Sequence, residues 1–176
     1  MRTCTWCFQV VTAMIMVLIC SPCFAAGDVK WSEFKAENRE VTLKVSIPSA
    51  DFAWTDMVVL CEIRNASRKT IFSYWIYEVG GLRFSLANEK GEEVPLTERG
   101  KLVLSDLTGE IRKYAGQELP PGAKLKYELK LCDYFLPPKA GTYKLSVVWN
   151  SDPADSNQSG NIRVELKDIA FKVTKM

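Results

Sequence analysis

Apolar and polar side chains alternate one for one along several short runs of this chain, and a period of two fits an extended strand with one buried face. The run 41–47 (Val41-Thr42-Leu43-Lys44-Val45-Ser46-Ile47) is the plainest, and Pro48 closes it. Residues 57–63 are more uniformly apolar, which predicts a more central strand, and 65–69 read as a polar turn. Residues 70–79 concentrate β-branched and aromatic side chains until Gly80-Gly81 interrupt them. Alternation returns at 82–86, and Asn88-Glu89-Lys90-Gly91 then supplies a hairpin, with glycine where a left-handed residue closes a short loop. Val94-Pro95-Leu96 reads as an edge, because proline has no N–H to donate to a ladder. After Pro120-Pro121-Gly122, strands are expected at 125–131, 141–149 and 162–173.

Helical periodicity never exceeds two turns. The best helical candidate is 97–119, read with Leu102, Leu104, Leu107 and Ile111 as its apolar face, but Gly100, Gly109 and Gly116 make the segment a long loop with a helical turn. Residues 28–40 read as a charged opening, 51–56 as a turn and 150–161 as an exposed polar loop. Seven or so strands joined by Gly, Pro and Asn turns predict an all-β sandwich.

The first 25 residues read as a secretory signal peptide. Arg2 supplies the positive start, 10–19 the apolar run, Ser21 and Pro22 the break, and cleavage is expected after Ala25 or Ala26. The run is shorter than the roughly 20 residues of a spanning helix. A lipidated cysteine normally follows a small residue, whereas Ile19 and Pro22 precede Cys20 and Cys23. The expected mature chain, 26–176, is one domain in the periplasm or outside the cell, its length suited to a single core.

Composition then removes whole classes of function. There is no histidine in 176 residues, which excludes Ser-His-Asp and Cys-His catalysis, histidine-ligated zinc and a histidine pH switch. With 23 Lys+Arg against 21 Asp+Glu, the chain lacks the basic footprint of a nucleic-acid binder. Glu92-Glu93, Asp51 with Asp56, and Asp152 with Asp155 lie in turns without the spacing of a calcium loop and read as solvated turn residues. Ser46, Ser73 and Ser105 have no general base in view. No cofactor and no metal is expected. Asn65-Ala66-Ser67 and Asn157-Gln158-Ser159 match the glycosylation acceptor pattern, which matters only in a eukaryotic secretory pathway.

Removal of the leader takes Cys4, Cys7, Cys20 and Cys23 with it and leaves Cys61 and Cys132. Cys61 points with Val59 and Ile63 toward the expected core. Cys132 follows Leu131 and nominally points outward, so a disulfide needs a bulge or a strand end there. Two readings stand: a bond formed in an oxidising compartment, or two separate thiols. Among the aromatics, Tyr74, Trp75 and Tyr77 are assigned to packing under the 97–119 loop. Trp31 and Trp54 are the candidates for exposed contacts.

Trp75 lies fourteen residues after Cys61, and 139–145 reads Lys-Ala-Gly-Thr-Tyr-Lys-Leu. The first spacing resembles the core tryptophan of immunoglobulin domains, and the second resembles the tyrosine corner of Greek-key sandwiches. The resemblance implies a secreted bacterial immunoglobulin-like Greek-key β-sandwich of about seven to nine strands, with Trp75 and Tyr143 in its structural core. It departs at Leu145, where antibody-type domains carry their second cysteine. The layout Leu119-Pro120-Pro121-Gly122, a strand, Tyr134-Phe135 and Gly141-Thr142-Tyr143 is also similar to the bacterial intracellular proteinase inhibitor family. That likeness implies a protruding inhibitory loop, with no inhibitory residue carried over. The expected function is a non-catalytic binding module for an envelope or extracellular protein, using 97–119, 150–161 or a strand edge. A proteinase inhibitor is the first alternative and a histidine-independent hydrolase the second.

Overall fold

The alternating runs become strands whose apolar side chains share one face. In β2 (Val41–Pro48), Val41, Leu43, Val45 and Ile47 are buried, and in β4 (Val58–Asn65) so are Val59, Cys61 and Ile63. The computed structural model describes residues 30–49, 52–75, 81–104, 115–136, 139–151 and 161–175, giving only the backbone of 74, 75, 115 and 175. The expected leader lies outside these residues, as do Tyr77, 105–114 and 152–160.

Two four-stranded sheets pack face to face as an all-β sandwich. One has the order β1 (Trp31–Glu37), β2, β4, β8 (Lys124–Lys130), antiparallel throughout. The other has the order β3 (Phe52–Ala53), β10 (Arg163–Lys175), β9 (Gly141–Asn150), β6 (Leu82–Asn88), with β3 parallel to β10. A two-stranded ladder of β5 (Ile71–Trp75) and β7 (Ala115–Leu119) stands apart from both. Ten strands are therefore described, more than the sequence predicts. The addition that changes the architecture is β1, where a charged opening was expected. Glu33, Lys35 and Glu37 are one exposed face of a strand whose other face carries Phe34 and Ala36 against the core.

Side-chain hydrogen bonds lock the turns. Asn38 accepts from the amides of Glu40 and Val41 and donates across the sandwich to the carbonyl of Arg163. The 88–91 hairpin forms, with Gly91 at φ 81° and the Asn88 carbonyl accepting from its amide. In β10 the register slips between Leu166 and Ile169, where Asp168 adopts φ 54° and its amide donates to Ser146 Oγ.

Within 97–119, the described residues form the expected helical turn at one end and a strand at the other. Thr97 Oγ1 accepts from the Gly100 amide, capping α1 (Glu98–Leu104), and donates to the carbonyl of Asp133 in α2 (Leu131–Tyr134). Its C-terminal end is β7. The strand expected at 125–131 stops one residue early, at Lys130, and α2 covers that end of the core with Leu131, Tyr134 and Phe135. Phe84 meets Tyr134 edge to face at 5.0 Å between ring centroids.

For the cysteines the structure has one of the two readings left open, and one expectation about the tryptophans is corrected. Both thiols are free. Cys61 sits opposite Tyr127, and Cys132 follows five residues later past the strand end, roughly 15 Å along at the strand rise, far beyond disulfide reach. Trp54, expected as an exposed contact, is 2% exposed in the 3-10 turn Trp54–Asp56 under the core. The tryptophan at the heart of a sheet is Trp149, wholly buried opposite Leu82. Trp75, whose side chain lies outside the described residues, pairs through its backbone with Ala115 in the separate ladder.

Candidate functional site

Strands place alternate side chains on opposite faces, so each residue that leaves the core of the β1–β2–β4–β8 sheet stands on its outer surface. The pairings line these residues up in rows. Glu33, Ser46, Leu60 and Glu128 form one; Lys35, Lys44, Glu62 and Lys126 the next; Glu37, Thr42, Arg64 and Lys124 the third. Trp31, at the start of the edge strand, flanks the first row.

Charges on this face are mostly tied to one another. Glu33 pairs with Lys44, and Lys35 with Glu37 along its own strand. Glu62 lies 2.7 Å from Lys124 Nζ and 4.0 Å from Lys126 Nζ. The hydrogen bond from Lys124, reinforced by the positive charges of Lys124, Lys126 and Lys44, holds the Glu62 carboxyl below its ordinary 4.5. Between these pairs lies an open depression of about 550 Å³, lined among others by Trp31, Glu33, Ser46, Leu60 and Glu128. Trp31 is 38% and Leu60 36% exposed, while Ser46 is nearly sealed at 9%. The depression thus joins an indole and a leucine to a rim of fixed charges.

This arrangement is suited to contact more than to proton transfer. Among the described residues Lys44 shares the face of Ser46, but its ammonium is ion-paired and open to water, whereas a lysine that serves as base is stripped of water. Among the described residues no group of three or more Asp, Glu or Cys side chains could hold a metal ion. Glu92 Oε2 accepts from Asn88 Nδ2 in the hairpin, Glu93 bridges to Ala87, and Asp56 lies in the Trp54–Asp56 turn. Asp51, Asp152 and Asp155 lie outside the described residues, as do Ser105 and the second glycosylation triplet.

The first triplet has a structural explanation. Asn65 is fully buried where the chain turns from β4 toward β5. Its Nδ2 donates to the carbonyls of Lys69 and Leu119 at 2.7 Å each, and its Oδ1 accepts from the Ser67 amide and hydroxyl. The Asn-Ala-Ser spacing is the spacing of that turn, and a glycan on Nδ2 cannot coexist with it.

Tyr143 is buried at the start of β9, and its hydroxyl donates to the carbonyl of Lys139 at 2.7 Å. Burial pushes that phenol above its ordinary 10.0. Burial also drives the Cys61 thiol up to about 12, and Cys132 is raised too, by burial and then by the Asp133 carboxylate. Of the two predicted contact loops, 150–161 is tied at its neck: Ser151 Oγ bonds Asn161 Oδ1 and accepts from the Ile162 amide. Sequence reasoning named Trp31 as an exposed contact, and it is 38% exposed, but missed the face beside it, which joins four strands. Its one local signal was the alternation of Glu33, Lys35 and Glu37 with Phe34 and Ala36.

No protein-family model matches the chain, and no curated protein matches it. Among solved structures, the chain is similar to the yjhA protein from Bacillus subtilis. The two are 19% identical over 82% of this chain and 96% of that one, with a TM-score of 0.35.

Proposed function

We propose that the chain is a secreted or periplasmic, non-catalytic binding module that holds an envelope or extracellular protein on the outer face of the β1–β2–β4–β8 sheet. The observation that carries this reading is the open depression in which Trp31 and Leu60 stay exposed among paired charges. An exposed aromatic and aliphatic centre with a polar rim is the anatomy of a protein-contact hot spot. A hydrogen-bonded sheet fixes those side chains more firmly than a loop does. The basic groups of the face (Lys35, Lys44, Arg64, Lys124, Lys126 and Lys130) outnumber its carboxylates (Glu33, Glu37, Glu62 and Glu128). The partner's matching chemistry is an apolar side chain flanked by acidic residues.

The test is capture from an envelope extract by chain 26–176, wild type against a Trp31→Ala/Leu60→Ser double variant, with circular dichroism to check folding. One protein held by the wild type and released by the folded variant supports the reading. The same protein held equally by both moves the contact elsewhere. Capture and inhibition of a protease would replace it with the inhibitor alternative.

A further inference from the structure

A two-sheet sandwich has four edge strands, and an uncovered edge is a template for another strand. Here three are guarded. β3 is two residues long. β6 is met by the returning chain through the Ala87–Glu93 bridge and the bond from the Val94 amide to the Leu86 carbonyl. Beside β8 stand Arg99, Asp133 and Tyr134 of the two helices. The fourth, β1, has seven residues without proline, every one paired to β2 on one side. On its other side no described strand pairs with it.

The sequence of β1 is complementary to itself. In an antiparallel pair, directly opposite residues share a face, so a two-fold axis that keeps the core faces aligned passes through a residue. Centred on Phe34, the axis sets Glu33 against Lys35 of the other copy, twice. It also sets Trp31 against Glu37, Ser32 against Ala36, and Phe34 against itself. Every outward pair is then opposite in charge or involves the indole, and every inward pair is apolar or small. Centred on Glu33 or on Lys35, the axis brings like charges together. On β8 the equivalent axis through Tyr127 opposes Lys124 and Lys130.

We infer that β1 pairs with β1 of a second copy of this chain, antiparallel about Phe34, joining two four-stranded sheets into one of eight strands. The two Trp31 depressions then lie on one continuous face. This inference does not depend on the proposed binding partner, since the contact is made by the strand edge of the chain alone.

Sedimentation velocity of chain 26–176, across concentrations up to about 0.5 mM, reads the association directly. Glu33→Lys makes both outward charge pairs lysine against lysine, and Lys35→Glu makes them glutamate against glutamate. Each single variant is expected to weaken association by roughly tenfold or more, since like charges directly opposite are destabilising. In an equimolar mixture of the two, a lysine again faces a glutamate in both outward pairs, and a heterodimer is expected. The Glu33→Lys/Lys35→Glu double variant is expected to dimerise with itself. This recovery separates pairing from loss of fold. A wild type monomeric throughout the range overturns the inference. So do single variants that associate like the wild type, or a mixture that stays monomeric.

Discussion

Asn65 shows how much one buried polar side chain can hold. All of its side-chain hydrogen-bonding atoms are engaged at a corner where two chain segments turn together. Backbone bonds flank it: its amide donates to Ala123 and its carbonyl accepts from Gly122. Asn65→Ala removes the side-chain donor to the buried Leu119 carbonyl and one of two side-chain donors to the Lys69 carbonyl, and is expected to cost about 2 kcal/mol. Asn65→Asp is expected to cost more, because an anionic oxygen replaces Nδ2 against those carbonyls. Urea unfolding of the two variants against wild type checks the order. The thiols make a second residue-scale test. With Cys61 buried and its thiol raised to about 12, the reactive thiolate is scarce and shielded. Iodoacetamide at about pH 8 is expected to label Cys132 of the native protein slowly, Cys61 hardly at all, and both after denaturation. Rapid native labelling of Cys61 contradicts that burial.

At the scale of elements, the close approach of α1 and α2 depends on a missing side chain. A Cβ on Gly100 would stand 1.9 Å from the backbone oxygen of Tyr134. The obstacle is main chain, so the helices must separate, and Gly100→Ala is expected to cost about 2 kcal/mol or more. On the β5–β7 ladder, a Cβ on Gly116 would lie 2.2 Å from the far end of the Phe72 ring, a side chain 45% exposed, with the nearest backbone atom, the Ser73 oxygen, at 3.2 Å. Gly116→Ala is expected to cost less than Gly100→Ala, because its closest obstacle is a side-chain end and not main chain. Thermal melts of the pair test the contrast, and equal losses would contradict it. The bulge in β10 was legible in a subtler way. Val164 and Leu166 keep one phase of alternation, while Ile169, Phe171 and Val173 keep the other. A phase jump of one residue requires an extra residue on that strand, and Lys167-Asp168 supplies it.

For the whole molecule, the shifted groups set the pH window of stability. Cys61 is raised from 9.0 to about 12, and Tyr127 and Tyr143 are raised from 10.0, each chiefly by burial. A raised folded value means the folded state holds its proton more tightly. The resulting stability is fully present below the unfolded value and lost as pH rises toward the folded one. Glu62 has the opposite sign: its contribution stands above 4.5 and fades as pH falls through its lowered value, a small effect at a half-buried site on the sheet surface. The urea midpoint is therefore expected to hold steady near neutrality and to fall from about pH 9 to about pH 10.5. Cys61→Ala should flatten that alkaline fall. A midpoint unchanged at about pH 10.5 in the wild type contradicts the assignment.

The sequence by itself determined the strands of the strongest alternation, β2, β4, β6, β8, β9 and β10, and their buried faces, because period-two alternation is a local property of adjacent side chains. It also determined the tyrosine corner and the Asn88 hairpin, whose hydrogen bonds span four residues or fewer. Only the tertiary structure decided which strands become neighbours, since pairing joins residues far apart in the chain. That is why β1 reads as a charged opening until β2 lies beside it, and why Trp54 reads as exposed until α2 packs against its turn. Asn65 reads as a glycosylation acceptor until the carbonyl of Leu119, 54 residues away, accepts a hydrogen bond from its Nδ2. The candidate face has the same origin: Trp31, Ser46 and Leu60 come from three strands, and only their register makes them one surface.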